Sequence, residues 1–267
     1  KFFSNQILFY TCVILQKKLL LRYFIRISFL GNNYCGWQIQ PGQISVQETI
    51  EKCISNLTKD KITIVGAGRT DSGVHATSMY AHFDAKNSIE GKDFLTRINL
   101  YLPKDISIQE ILPVKDKSHA RFDAISRTYK YYINRNKDPF KIDQSYFCKY
   151  KLDLKLMNEA AKILLKFDDF ECFSKSKTDV KTFLCKINYA ELIEEKGLII
   201  FKINANRFLR NMVRAIVGTL IEVGRKRISL KNFEKIILEK NRSNAGFSAP
   251  AHGLFLTDID YDWNKIK

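Results

Sequence analysis

The stretch Gly66-Ala67-Gly68-Arg69-Thr70-Asp71-Ser72-Gly73-Val74-His75-Ala76 constrains this chain more than any other, because so many small and polar residues set close together do not fill a core. It follows a β-branched run, Ile62-Thr63-Ile64-Val65, and precedes a second strand signal at residues 78–83, so it reads as a loop between two strands. Three glycines within eight residues let the backbone take positive φ or approach a ligand closely. A dinucleotide fingerprint is ruled out by the spacing. Asp71 stands where the third glycine is needed for helix packing, and a negative charge there opposes a pyrophosphate. A lone Gly-x-Gly would leave Asp71 as the cap of a turn. The full stretch instead presents a carboxylate between an arginine and a histidine, which points to chemistry.

The 267 residues suit one large domain or two modest ones, and 45% hydrophobic residues suffice for a proper core. The 44 Lys+Arg outnumber the 28 Asp+Glu, giving a formal charge of +16, the footprint of a polyanion partner. Nucleic acid ranks first among such partners and an anionic membrane second. Much of the surplus is lysine accompanied by Ile and Asn, as AT-rich coding produces in any protein. The arginines beside aromatic residues are more telling: Arg121-Phe122, Arg127-Thr128-Tyr129 and Arg207-Phe208-Leu209-Arg210. Six scattered cysteines (Cys12, Cys35, Cys53, Cys148, Cys172, Cys185) without a C-x-x-C read as reduced thiols of a cytoplasmic protein. His75 and His82 have no third ligand at a recognisable spacing, so no metal is expected.

Lys1 is not an initiator methionine, so the chain is expected to be a fragment or to carry residues ahead of the natural start. The apolar run at residues 7–15 resembles a signal-peptide core, but no small-residue cleavage site follows, and it is shorter than the ~20 residues of a membrane helix. No membrane partner is expected, and residues 1–20 are set apart as an extension outside the fold.

From Leu21 onward strand and helix signals mix. Alternation predicts strands at 21–29, 78–83, 106–114, 128–133, 186–193 and 198–203. Apolar residues at i, i+4, i+7 and i+8 predict a helix over 46–54 capped by Ser45, with further helices at 154–166, 208–223 and 230–240. Several adjacent strand pairs argue for an α+β fold with a largely antiparallel sheet. Each half runs strand, helix, strand, which suggests two related lobes, 21–118 and 119–267, meeting at a basic cleft with flanking helices.

Five motifs in order carry a resemblance. Gly68-Arg69-Thr70-Asp71-Ser72-Gly73-Val74-His75-Ala76 is similar to the G-R-T-D-A-G-V-H-A signature of the TruA family of tRNA pseudouridine synthases. Tyr34-Cys35-Gly36-Trp37-Gln38-Ile39-Gln40 with Ser45-Val46-Gln47 resembles the family's Y-x-G-W-Q-x-Q…S-V-Q. His119-Ala120-Arg121-Phe122 and Arg127-Thr128-Tyr129-Lys130-Tyr131 resemble its H-A-R-F and R-x-Y-x-Y. The stretch from Asn204 to Arg214 resembles A-N-x-F-x-x-x-M-V-R, and Gly253-Leu254-Phe255-Leu256 resembles the closing G-L-x-L. Two departures stand out: Ser72 replaces the usual alanine, and a basic residue frequent in the family is missing around Thr182-Phe183-Leu184-Cys185.

The resemblance implies the pseudouridine synthase fold and isomerisation of uridine to pseudouridine at tRNA positions 38, 39 and 40 in the anticodon arm, by a homodimer without cofactor. It implies Asp71, Tyr129 and Arg214 as catalytic residues. Asp71 is the nucleophile or base, Arg214 the cation that keeps it ionised in a dry pocket, and Tyr129 both stacks on the base and helps remove the C5 proton. Arg69, Tyr129, Leu254 and His75 are the expected substrate-side residues. Arg69 holds a phosphate or fills the space a flipped base leaves, and Leu254 packs on the uracil face. His75 orders the loop by hydrogen bonds rather than handling protons. Two other readings stand beside this one: an inactive RNA-binding protein of the same fold, and a nucleoside hydrolase using Asp71 as base. The first is expected to have replaced Asp71, Tyr129 or Arg214. The second needs another carboxylate or a metal.

Overall fold

The alternation that predicts the first strand is the alternation that builds the core. In β1 (Leu21–Phe29) the odd-numbered Tyr23, Ile25, Ile27 and Phe29 are buried, and so is Phe24 on the opposite face, which meets Tyr261 and Trp263 edge-on at 5.6 and 6.4 Å; all five belong to one cluster. This is a computed structural model, and it describes residues 20–89, 92–176 and 180–267. The apolar run at 7–15, the extension up to residue 19, and Cys12 lie outside them. The remaining strands are β2 (Val65–Gly66), β3 (His75–Ala85), β4 (Ile106–Val114), β5 (Ala124–Asn134), β6 (Tyr146–Phe147), β7 (Ile187–Glu195), β8 (Leu198–Ala205) and β9 (Leu254–Tyr261).

They form one mixed sheet in the order β4-β1-β3-β9-β5-β8-β7, with β2 beside β3 and β6 beside β5. The long ladders are antiparallel; β3 meets β9 in a short parallel contact at His75–Phe255 and Ala76–Leu256. The molecule is therefore α+β with a largely antiparallel sheet, as the order of signals predicts. The helices are α1 (Val46–Thr58), α2 (Lys92–Tyr101), α3 (Leu154–Ile163), α4 (Met212–Gly224), α5 (Leu230–Glu239) and α6 (Trp263–Ile266). Val46, Ile50, Cys53 and Ile54 of α1 and Ile98 of α2 share a buried cluster with β1 and β3. A second cluster joins α3, α4 and α5 to β5, β7 and β8. Leu256, Ile259 and Tyr261 of β9 belong to the first cluster and its Leu254 to the second, so β9 stitches the two together. No helix among the described residues is long and apolar enough to cross a membrane.

Helix α1 starts as its cap dictates: Ser45 Oγ accepts from the Glu48 N–H at 3.2 Å, and left-handed Lys59 ends it. The helix expected from residue 208 starts only at Met212, because Asn211 takes a left-handed φ of 66°. Its Nδ2 donates to Ser248 Oγ at 2.7 Å, offsetting the roughly 1–3 kcal/mol that this conformation costs a residue with a side chain. The β-branched run at 62–65 contributes only Val65 to a strand. Strand β9 and helix α2 are absent from the sequence expectations. The five described cysteines are unpaired.

Candidate active site

The Asp71 loop is held by the Tyr34–Trp37 segment. Gly36 has φ of +86°, and a Cβ there would lie 2.3 Å from the Thr70 carbonyl oxygen, so no side chain fits between the two backbones. The Trp37 N–H donates to that carbonyl at 3.2 Å, and Ser72 Oγ donates to the Tyr34 carbonyl at 3.2 Å. The Val74 N–H closes a turn onto the Asp71 carbonyl at 3.1 Å. Ser72 therefore spends its hydroxyl on the loop's own support.

The Asp71 side chain is 25% exposed and faces two guanidinium groups. Arg214 Nη1 lies 3.3 Å from Oδ2 and Arg210 Nε lies 3.7 Å from Oδ1. Arg214 is anchored. Its Nε donates to the Ala249 carbonyl at 2.7 Å, while the Ala249 N–H donates back to the Arg214 carbonyl at 3.0 Å. Helix α4 makes this clamp possible, because a Cβ on Gly218 would sit 1.7 Å from the Phe247 carbonyl oxygen; the 246–249 segment can lie against α4 only across glycine. All residues of α4 except Arg214 and Glu222 are buried, so Arg214 projects from a fixed rod.

Tyr129 lies on β5 between Ile203 of β8 and Leu256 of β9. The register between β5 and β9 shifts there, leaving Thr257 as an extra residue, and its hydroxyl donates to the Thr128 carbonyl at 3.2 Å. Such a bulge bends the strand and re-aims its side chains. The Tyr129 ring meets Phe208 edge-on at 5.1 Å. Burial pushes its phenol up to about 12; the nearby Arg127 charge works against that rise and the Asp71 charge adds to it. Tyr129 is a neutral phenol in the electrostatic range of Asp71.

The other expected residues are placed differently. Arg69 is exposed, and its side chain has no hydrogen-bond or ion-pair partner among the described residues. Leu254 is 5% exposed and packs in the second cluster. His75 is fully buried. Its Nδ1 accepts from the Gly31 N–H and its Nε2 donates to the His252 carbonyl, both at 3.0 Å, while its ring stacks on Phe255 at 4.4 Å. Burial lowers its pKa, which suits a neutral ring with one donating and one accepting nitrogen. His75 thus ties the loop to the 252–255 segment through backbone groups.

Two residues have roles here that the sequence reading does not assign. Arg210, noted there for its aromatic neighbours and as part of the Asn204–Arg214 stretch, is the second cation on Asp71. Arg127 donates to four carbonyls, those of Ala67, Arg121, Ala124 and Asn206, at 2.7–3.3 Å, so one guanidinium bolts the glycine loop to β5 and to the segment before α4. The R-x-Y-x-Y motif contains Arg127 without giving it this role, because two of the carbonyls it joins are 60 and 79 residues away. Among the described residues no group of three or more His, Cys, Asp or Glu is placed to hold a metal.

A profile described as tRNA pseudouridine synthase matches residues 25–123 and 160–262. The chain is 51% identical over 240 residues to a tRNA pseudouridine synthase A of Azobacteroides pseudotrichonymphae, covering 90% of this chain and 96% of that protein. It is 51% identical to a protein of the same description from Parabacteroides distasonis over 241 residues, 90% of this chain and 96% of the relative. A third relative so described, from Bacillus licheniformis, is 40% identical over 240 residues, 88% of this chain and 97% of its own length.

Proposed function

The chain belongs to the tRNA pseudouridine synthase family, and on that premise we propose that it isomerises uridines 38, 39 and 40 in the anticodon arm of tRNA with Asp71 as its catalytic carboxylate. The observation that carries this reading is a partly exposed carboxylate whose two oxygens each face a different arginine. The reaction breaks the N1–C1′ bond, forms a C5–C1′ bond, removes the proton from C5 and leaves one on N1. Atoms and charge balance with no cofactor, so side chains suffice.

A base in a stem or a stacked loop must be extruded first, at a cost of a few kcal/mol of unstacking. Exposed Arg69 supports a contact to the RNA backbone or to the space the base leaves. Asp71 then supplies an electron pair to C1′ of the ribose or C6 of the uracil. Arg214, tied at Ala249, holds the orientation of the carboxylate through that step. Tyr129, as a phenol rather than a phenolate, takes the C5 proton only while releasing its own, and the Asp71 carboxylate is the base within its electrostatic range. The near-complete burial of Leu254 supports a wall beneath the uracil rather than a flexible contact.

The same reading assigns a homodimer as the working assembly and the cytoplasm as its location. Light scattering after size-exclusion chromatography tests the dimer. The test of function is Asp71→Asn, which keeps volume and hydrogen bonding. Pseudouridine formed in unmodified tRNA, measured by nucleoside mass spectrometry, is expected to fall at least about 10³-fold while tRNA binding persists. Turnover within tenfold of the parent removes Asp71 from the catalytic role, and release of free uracil by the parent marks a hydrolase instead.

A further inference from the structure

We propose that Arg210 is a substrate-positioning residue that covers Oδ1 of Asp71 in the free enzyme and passes to a phosphate beside the target uridine when tRNA binds, leaving Oδ1 as the reacting oxygen. The inference rests on the reading of Asp71 as the catalytic carboxylate. It starts from the asymmetry of the two arginines. Arg214 is 20% exposed, and its Nε is committed to the Ala249 carbonyl, so it stays on Oδ2. The Arg210 side chain is 59% exposed, has no hydrogen bond among the described residues, and touches Oδ1 only at 3.7 Å, beyond hydrogen-bonding range. An exposed pair of that kind is held weakly and is easily exchanged.

A guanidinium over Oδ1 draws charge from that oxygen and crowds its approach to C1′ or C6, so Oδ1 reacts more readily once the cover leaves, and Arg210 is the one free to go. Its backbone does not need to move, because its carbonyl is fixed by the Lys175 N–H at 3.0 Å and the turn is set by left-handed Asn211. The nucleotide that Asp71 must reach carries a phosphate next to its ribose. A planar guanidinium matches a phosphate with two parallel hydrogen bonds. The arriving RNA thus supplies the charge that draws the cover off the carboxylate, and tRNA binding itself exposes Oδ1.

The test measures tRNA binding across salt concentrations, and turnover, for the parent, Arg210→Gln, Arg210→Lys, Asp71→Asn and the Asp71→Asn/Arg210→Gln double variant. Arg210→Gln is expected to weaken tRNA about tenfold. It should also make the log–log salt slope shallower by about 0.7–0.9. Arg210→Lys should restore the slope. The loss should fall on KM, with kcat of Arg210→Gln within about threefold of the parent. Asp71→Asn, which releases Arg210 in advance, should bind tRNA more tightly than the parent, and that gain should vanish in the double variant. An unaltered slope in Arg210→Gln, a fall in kcat without a fall in affinity, or an Asp71→Asn gain independent of Arg210 overturns the proposal. If Asp71→Asn itself turns over normally, the reading of Asp71 fails as well; if it is inactive while Arg210→Gln keeps the parent slope, the proposal alone fails.

Discussion

At the scale of single residues, the site divides its labour by how each side chain is tied. Arg214 is fixed by a reciprocal clamp with Ala249, whereas His75 spends both ring nitrogens on backbone and leaves nothing for a proton to use. Tyr129 is the residue whose environment says most about mechanism. Burial disfavours the charged phenolate and raises the pKa to about 12, so the hydroxyl stays protonated throughout the range in which tRNA is handled. Two results follow. Tyr129→Phe keeps the ring and its contact with Phe208, so tRNA affinity should hold while single-turnover formation of pseudouridine slows by about 10²-fold or more, in a late step. The parent's rate should show no change from phenol ionisation below about pH 10. A break near that pH absent from Tyr129→Phe would show that the phenol ionises more readily than its burial allows.

At the scale of elements, the Asp71 loop is rigid because another segment is pressed against it. Gly36→Ala would require a left-handed alanine, costing roughly 1–2 kcal/mol, and would drive a methyl to 2.3 Å from the Thr70 carbonyl. The backbone that carries Asp71 must then shift. Thermal unfolding should show a loss of about 2–4 kcal/mol, and a displacement near 1 Å should lower kcat about 10²-fold. A stable and fully active Gly36→Ala variant would mean that the loop is not positioned by this contact. Helix starts were legible where a side-chain cap announces them, as Ser45 does for α1. They were not legible at α4, where the expected start at 208 gives way to Met212. There the apolar pattern runs on through Phe208 and Leu209, which are buried or packed for reasons unrelated to the helix. Neither bulge nor clamp leaves a periodic trace.

At the scale of the whole molecule, the charge of +16 sets how the protein meets a polyanion. Phosphate neutralisation should make tRNA affinity fall about 10²- to 10³-fold between about 50 and about 200 mM salt; a flat response counts against a surface that tracks the RNA backbone. Global stability has its own titrating group. His82 is 5% exposed, its Nδ1 accepts from the Ala120 N–H, and burial first, then the charges of His119 and Arg22, lower its pKa to about 4, with Asp84 and Asp123 opposing. The unfolded chain binds this proton near the ordinary 6.5, so below that pH it gains protons that the folded state refuses. Stability should therefore fall as pH drops from about 6.5 towards 4, by up to about 3 kcal/mol from this residue. Urea titrations should show a shallower acid slope for His82→Asn; an unaltered slope would place the loss on other groups.

The class of fold, the basic character and a first set of candidate residues are legible in the chain alone. Strand alternation, apolar helical spacing and ordered short motifs are local patterns, and each constrains the chain within its own few residues. The strands at 21–29 and 106–114 lie where alternation puts them. Tertiary structure alone decided which residues meet. Arg214 reaches Asp71 across 143 positions, Arg127 joins carbonyls far apart in the chain, and β9, the last strand in the chain, takes the middle of the sheet between β3 and β5. Arg210 and Arg214 sit four residues apart and both read as basic residues beside apolar ones. Only the fold makes one an anchored partner and the other an exposed one, because anchoring depends on the Ala249 carbonyl that the 246–249 segment brings across Gly218. Backbone carbonyls carry no sequence signal, and in this site they do most of the holding.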